Sequence, residues 1–262
     1  MKKRHPFQLF LIGLIPTGGF AVFYAFPLFL TFIYAFQSEG SISLASFVSV
    51  WQNVNFQNGL KNLLLIGLLC VSSSFLPAVP IGLLLSGHKR MVRYAMPFLV
   101  LPLLVPSSAA VQLWQQLFHI DILTPWYIQL TALASLFVWK NTGTAAAILY
   151  VALIRLPDDV LEAARLDGCS GMILLLRIKL PLIRGEISLT LLFLLMYYFR
   201  IYKESYLLFG QYPVREMYLV QHYMANTYMK MNVQSVSAAA AILAMICFTF
   251  FALVSIVSQR RK

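Results

Sequence analysis

Six apolar runs dominate this chain, lying near residues 7–36, 61–86, 95–117, 128–154, 187–209 and 236–258. Each reaches or exceeds the roughly 20 residues that a helix needs to cross the hydrocarbon layer of a bilayer. Only a helix or a closed barrel satisfies its own backbone polar groups in that medium, and runs of this length read as helices. The chain is 60% hydrophobic and only 11% charged, against about a quarter charged in soluble domains. It cannot cover a water-facing surface, so lipid must be its main solvent. The expected fold is all-α: one domain over 1–262 with six membrane helices and little else.

The amino terminus, Met1-Lys2-Lys3-Arg4 before an apolar run, imitates a signal peptide. The run 7–36 is far longer than a signal core of about 7–15 residues, and no small-x-small cleavage site follows at the right distance. It reads as a first membrane helix that is retained, able to tilt or bend near Pro16 or Pro27.

Orientation follows from the placement of lysine and arginine. With an even number of spans both termini share one side. That side gathers Lys2, Lys3 and Arg4; Lys89, Arg90 and Arg93; Arg155, Arg165, Arg177, Lys179 and Arg184; and Arg260, Arg261 and Lys262, out of 20 bases in all. Only Lys61, Arg215 and Lys230 fall near the opposite face. The termini and the loops at 87–94 and 155–186 are therefore expected in the cytoplasm. The net charge of +11 is explained by this clustering beside apolar runs, with no basic, aromatic-studded face that would suit nucleic acid.

Several chemistries are disfavoured. Cys70, Cys169 and Cys247 are far apart, and His5, His88, His119 and His222 are scattered, so neither a disulfide framework nor a metal centre is expected. Catalytic residues are expected to be absent, because no paired histidines or carboxylates lie inside the spans. Gly82-Leu-Leu-Leu-Ser-Gly87-His88-Lys89 has the glycine spacing of a nucleotide-binding loop but lacks the following Lys-Ser/Thr and a preceding strand. Any ATP must be hydrolysed by another chain.

The longest inner loop runs from Arg155 to Glu186. Its local physics is helix–turn–helix. Asp159 is placed to cap a first helix, with Glu162 completing a capping box. Gly168 can take the positive φ that ends it. Ser170 can cap a second helix, which must end or kink near Pro181. The first helix is only about two turns long, too short to stand alone in water. It either lies on the membrane or its own bundle, or is held by a partner.

Glu162-Ala163-Ala164, three residues, Gly168, nine residues, then Ile178-x-Leu180-Pro181 resembles the loop motif of the permeases of binding-protein-dependent ABC importers. Asp167 also agrees with the Asp-Gly common in that family. Trp139-Lys140-Asn141-Thr142-Gly143, Ala95-Met-Pro-Phe-Leu-Val-Leu-Pro102 and the first helix around Pro27 are similar to segments of the sugar-type permeases. The chain departs from them at Cys169, Met172-Ile173, Gly185 and Gly210-Gln-Tyr-Pro213. The resemblance implies a multi-pass subunit of a bacterial-type inner membrane, importing a solute of the sugar class by alternating access. It implies a second, different permease subunit, two cytoplasmic ATPase subunits using ATP and Mg, and an external solute-binding protein. Glu162, Ala163, Ala164, Asp167, Gly168, Ile178 and Pro181 are then the residues that couple to the ATPase. A permease for a peptide, amino acid or polyamine is the alternative within transport, and a non-ABC channel or membrane receptor the alternative outside it.

Charges inside spans cost a few kcal/mol or more each and mark candidate pathways. The fifth span carries Tyr198, Arg200, Tyr202, Lys203 and Glu204, and the fourth Lys140 and Asn141. Arg200 and Glu204 are i,i+4 neighbours able to pair, as a structural pair near the outer headgroups or as a wall of the pathway. Gly143 with Ala147, and Ser237 with Ala241, have the spacing of tight helix contacts. Loop 210–235, with Tyr212, Arg215, Tyr218, His222 and Tyr223, suits either an aromatic belt or a docking face for a binding protein.

Overall fold

The structure, a computed structural model, describes residues 14, 16–38, 41–121 and 123–259. The expected start of the first span at residue 7, and the basic residues Lys2, Lys3, Arg4, Arg260, Arg261 and Lys262, lie outside them.

Among the described residues five helices are long and apolar enough to cross a membrane: Pro16–Phe36 (α1), Val54–Gly87, Trp126–Leu153, Arg184–Phe209 and Val233–Val254. A sixth is made only if the pair Arg90–Leu104 and Ser107–Phe118, bent by 93°, is taken as one span. In chain order the remaining labels are α2 Ala45–Gln52, α3 Val54–Gly87, α4 Lys89–Leu104, α5 Ser107–Phe118, α6 Trp126–Leu153, α7 Asp158–Leu166 and α8 Gly171–Leu174. They continue with α9 Arg184–Phe199, α10 Tyr202–Phe209, α11 Val220–Met229 and α12 Val233–Gln259. A two-residue hairpin, Gln37–Ser38 (β1) against Ser41–Ile42 (β2), pairs antiparallel with Gln37 opposite Ile42.

The chain divides into two compact units. One joins Met1–Gln57 to Tyr223–Cys247. In α1 the backbone widens into a π-turn at Ala21–Ala25, directly before Phe26-Pro27. Pro27 has no N–H to offer the turn above it, and the Phe26 N–H reaches back five residues to the Ala21 carbonyl. Aromatic pairs tie this unit together: Phe36 on Phe47 at 4.9 Å and Phe56 edge-on to Tyr223 at 5.5 Å between ring centroids.

The second unit, Asn58–His222 with Phe248–Lys262, holds both candidate sites. Its core is built from two stripes at helical spacing: Leu63, Ile66, Cys70, Ser74, Ala78 and Leu85 on α3, and Ala132, Leu136, Ala145, Leu149 and Ala152 on α6, all buried. Gly143 permits the closest approach. A Cβ there would stand 1.8 Å from the Leu99 carbonyl oxygen, so α4 lies directly on α6. In the first unit, Ser237 and Ala241 on α12 are buried.

The third expected span, 95–117, is not one straight helix. Val105 and Pro106 both have extended backbone, at ψ 127° and 137°. A residue before proline is driven out of the helical region, and the proline itself cannot donate to the turn above. The chain turns there and restarts at Ser107.

Candidate functional site

The break at 105–106 opens a cavity of about 400 Å³. Its walls are the end of α4, the start of α5, one face of α6 and the junction of α9 with α10. Lys140 lies fourteen residues along α6 from Trp126, about 21 Å at the helical rise, near the middle of a helix long enough to span the bilayer. The cavity therefore sits halfway along α6.

Lys140 Nζ is 3.3 Å from Glu204 Oε1 and 3.2 Å from Ser107 Oγ, and the Ser107 hydroxyl donates to the same Glu204 oxygen at 2.6 Å. The Lys140 and Glu204 side chains are 12% and 16% exposed, so the pair is largely withdrawn from solvent. Glu204 does not pair with Arg200. The helix is interrupted between them: Arg200, at φ −94° and ψ 0°, closes α9, and α10 starts anew at Tyr202. The i,i+4 register that would bring the two together is lost, and Glu204 turns to α6.

Of the seven pathway residues expected, Lys140, Asn141, Arg200, Lys203 and Glu204 line this one cavity. Tyr198 and Tyr202 do not. Tyr198 is 2% exposed, its hydroxyl donating to the Leu63 carbonyl at 2.5 Å and its ring edge-on to Phe137 at 6.1 Å. Tyr202 packs edge-on against His222 at 5.0 Å. Tyr197, one residue along, faces the cavity instead. Ser107 and Tyr197 were missed. The signal for Ser107 was Pro106-Ser107, a helix stop followed by a helix start. Asn141 is 3% exposed; its amide nitrogen donates to the Phe137 carbonyl at 2.8 Å, while its oxygen has no partner among the described residues.

Loop 155–186 forms a short helix, α7, followed by α8, a π-turn at Leu175–Lys179 and a last turn at Leu180–Leu182. The expected capping box is absent. Pro157, not Asp159, holds the cap position, with no side-chain cap bond, because the helix begins two residues earlier than expected, at Asp158. Asp158 and Asp159 in the first turn still favour that end through the helix dipole. The other end is a Schellman motif. Gly168 has φ +82°, its N–H donates to the Arg165 carbonyl at 3.0 Å, and the Cys169 N–H donates to Ala164 at 2.9 Å. Ser170 occupies the next cap position without a side-chain bond. The helix breaks at Ile183, just beyond Pro181.

Glu162, Ala163, Asp167 and Pro181 are exposed, Ile178 is half-buried, and Ala164 turns inward at 8% exposure. Large apolar side chains stand out on the same loop: Leu166 is 89% exposed and Met172 66%. Ile173 and Leu176 on the same loop are exposed as well, at 51% and 56%.

The sequence model of the binding-protein-dependent transport system inner membrane component family matches residues 78–262. The chain belongs to this family. Among curated relatives, this inner membrane component is 38% identical over 73 residues to a trehalose transport system permease of Mycobacterium tuberculosis, covering 28% of this chain and 24% of the relative. It is 27% identical over 127 residues to a glucose import system permease of Saccharolobus solfataricus, covering 42% and 44%. The matched stretches thus span from a quarter to under half of these relatives. The fold matches a subunit of a bacterial ABC transporter involved in the import of the acidic polysaccharide alginate, at TM-score 0.81, 17% identity and coverage of 98% and 96%. A second structure of a bacterial alginate transporter, in complex with an oligosaccharide-bound periplasmic protein, matches at TM-score 0.79 and 18% identity, over 97% and 94%.

Proposed function

We propose that this chain is the membrane-spanning permease subunit of an ATP-driven importer that moves a carbohydrate inward by alternating access. Loop 155–186 couples it to a separate cytoplasmic ATPase. The observation that carries this reading is α7 itself: a two-turn helix, fixed at its end by the Gly168 Schellman motif, offering Glu162, Ala163 and an 89%-exposed Leu166 outward. A helix so short and so apolar at its tip needs a groove to receive it. Glu162 is its polar anchor to a cation on the ATPase, and Ala163 permits close approach. Ala164 supports the helix from beneath.

In this reading the chain forms a single permease domain with both termini in the cytoplasm. It pairs with a different permease subunit and works with two ATPase subunits, which use the ATP and Mg, and with an external solute-binding protein. Closing the ATPase dimer moves α7 as a rigid body and switches the bundle between two packings. The cavity halfway along α6, with Lys140, Asn141, Arg200, Lys203 and Glu204, is the solute site. The sugar-transporting relatives and the polar wall flanked by Tyr197 and Phe137 support carbohydrate as the cargo.

The test is capture at the loop. A Leu166→Cys chain, tagged and crosslinked in native membranes, is expected to yield a nucleotide-hydrolysing subunit by mass spectrometry. Efficient labelling of that cysteine from the external face, or crosslinks that never include an ATPase, overturns the assignment.

A further inference from the structure

The cavity at the α4–α5 break is not electrically neutral. Lys140, Arg200 and Lys203 line it, against the single carboxylate of Glu204. Glu204 is already engaged by Lys140 and Ser107. Among the described residues Lys140–Glu204 is the one ion pair, and neither Arg200 nor Lys203 has a carboxylate within reach. Two cations are thus left over in a recess halfway along a membrane-spanning helix, where a charged side chain is retained at a cost of a few kcal/mol or more unless it meets an opposite charge.

The rest of the lining says what carries that opposite charge. The volume, about 400 Å³, lies within the range of small-ligand sites, roughly 300–1,000 Å³. Tyr197 and Phe137 give flat apolar faces beside the polar groups. Asn141, 3% exposed, brings an amide oxygen with no partner among the described residues, free to accept from a hydroxyl. Arg200 and Lys203 sit three residues apart at the α9–α10 junction, both exposed on the open side of the recess. Hydroxyl recognition on one wall and two free cations on the other describe a polyol that also bears a negative group.

We infer that the solute held here is an anionic saccharide, with its carboxylate or phosphate against Arg200 and Lys203 and its hydroxyls toward Asn141. This rests on the carbohydrate-importer reading and narrows it to acidic sugars. A guanidinium grips such groups through two parallel hydrogen bonds, and at side chains this exposed the attraction is screened by salt.

The test uses the whole assembly, purified through a tag on this chain and placed in lipid nanodiscs. Binding of trigalacturonate, its methyl ester, maltotriose and glucose 6-phosphate is measured at low and high salt. Trigalacturonate or the sugar phosphate is expected to bind at least tenfold tighter than the two neutral probes, and to weaken with salt; which of the two wins names the anionic group. Arg200→Gln and Lys203→Gln are each expected to erase most of that preference, while Lys230→Gln, outside the cavity, leaves it intact. Equal binding of acid and ester overturns the inference but leaves the carbohydrate reading standing. So does loss of a co-purifying permease subunit in Arg200→Gln with unchanged binding per intact complex, which assigns the cations to a subunit contact. Binding of none of the probes, in an assembly that retains its ATPase, overturns the saccharide site. An assembly without any ATPase overturns the importer reading itself.

Discussion

The Lys140 ammonium and the Glu204 carboxylate meet at 3.3 Å across two helices that are 64 residues apart in sequence. The pair ties α6 to α10, and Ser107 at the start of α5 joins it through the same carboxylate oxygen. Three helices that line the cavity are thus pinned at one point. Removing one partner of a buried pair leaves the other charge uncompensated, which costs about 3–5 kcal/mol when burial is complete. With 12% and 16% exposure the loss here should be smaller, about 2 kcal/mol. Glu204→Leu is expected to lower the melting temperature in detergent more than the double variant Lys140→Met with Glu204→Leu. Equal melting of the two would mean that the charges do not interact.

The contact of α4 on α6 leaves no room at Gly143. A methyl group placed there would sit 1.8 Å from the Leu99 carbonyl oxygen, a backbone atom that cannot move aside without shifting the helix. Gly143→Ala is expected to destabilise by about 3 kcal/mol, at the upper end of overpacking effects. At Gly87 nothing lies within 4 Å, and Gly87→Ala should be neutral or mildly stabilising. Size-exclusion profiles and thermal melts of the two variants separate these outcomes.

How much of this was legible in the sequence depends on the kind of signal. The long spans were readable because hydropathy over twenty residues is a local property, and the Glu162–Pro181 motif because its spacing is local as well. Gly168 needed only its place after Leu166 to be read as a positive-φ terminus. The bend at 105–106 was also written locally, in Pro102, Pro106 and Ser107, but a continuous apolar run hid it. The partner of Glu204 was not legible at all. The i,i+4 rule pointed to Arg200, and only the break at Arg200–Ile201, with α6 brought alongside, redirects the carboxylate to Lys140. Tyr197 and Tyr198 lie side by side in α9, ahead of that break, and which of the two faces the cavity and which reaches Leu63 is set by how α9 packs on its neighbours, not by the local sequence.

In loop 155–186, Gly168 has φ +82°. A side chain in that conformation costs about 1–2 kcal/mol, and proline cannot adopt it. Gly168→Pro is expected to unwind the end of α7 and abolish uptake while the chain still inserts in the membrane. Glu162→Lys leaves the helix intact but reverses its exposed charge, and uptake should fall as far. Solute-stimulated ATP hydrolysis should be lost in both, with normal amounts of the chain in the membrane fraction. Wild-type uptake in either variant would remove the coupling role from α7.

Outside the spans, on α11, His222 is fully buried between the rings of Tyr202 and Tyr218. Burial lowers its pKa from 6.5 to about 4. Its Nδ1 accepts the Leu219 N–H at 3.1 Å, which a proton on that nitrogen would forbid. The unfolded chain therefore binds the proton more readily than the folded one. The stabilisation is present in full above pH about 6.5 and is lost as pH falls toward 4, at up to about 1.4 kcal/mol per unit. Thermal melts between pH 7 and 4.5 should show the decline in the wild type. His222→Asn, destabilised at neutral pH, should show a shallower slope; parallel slopes would place the acid sensitivity elsewhere.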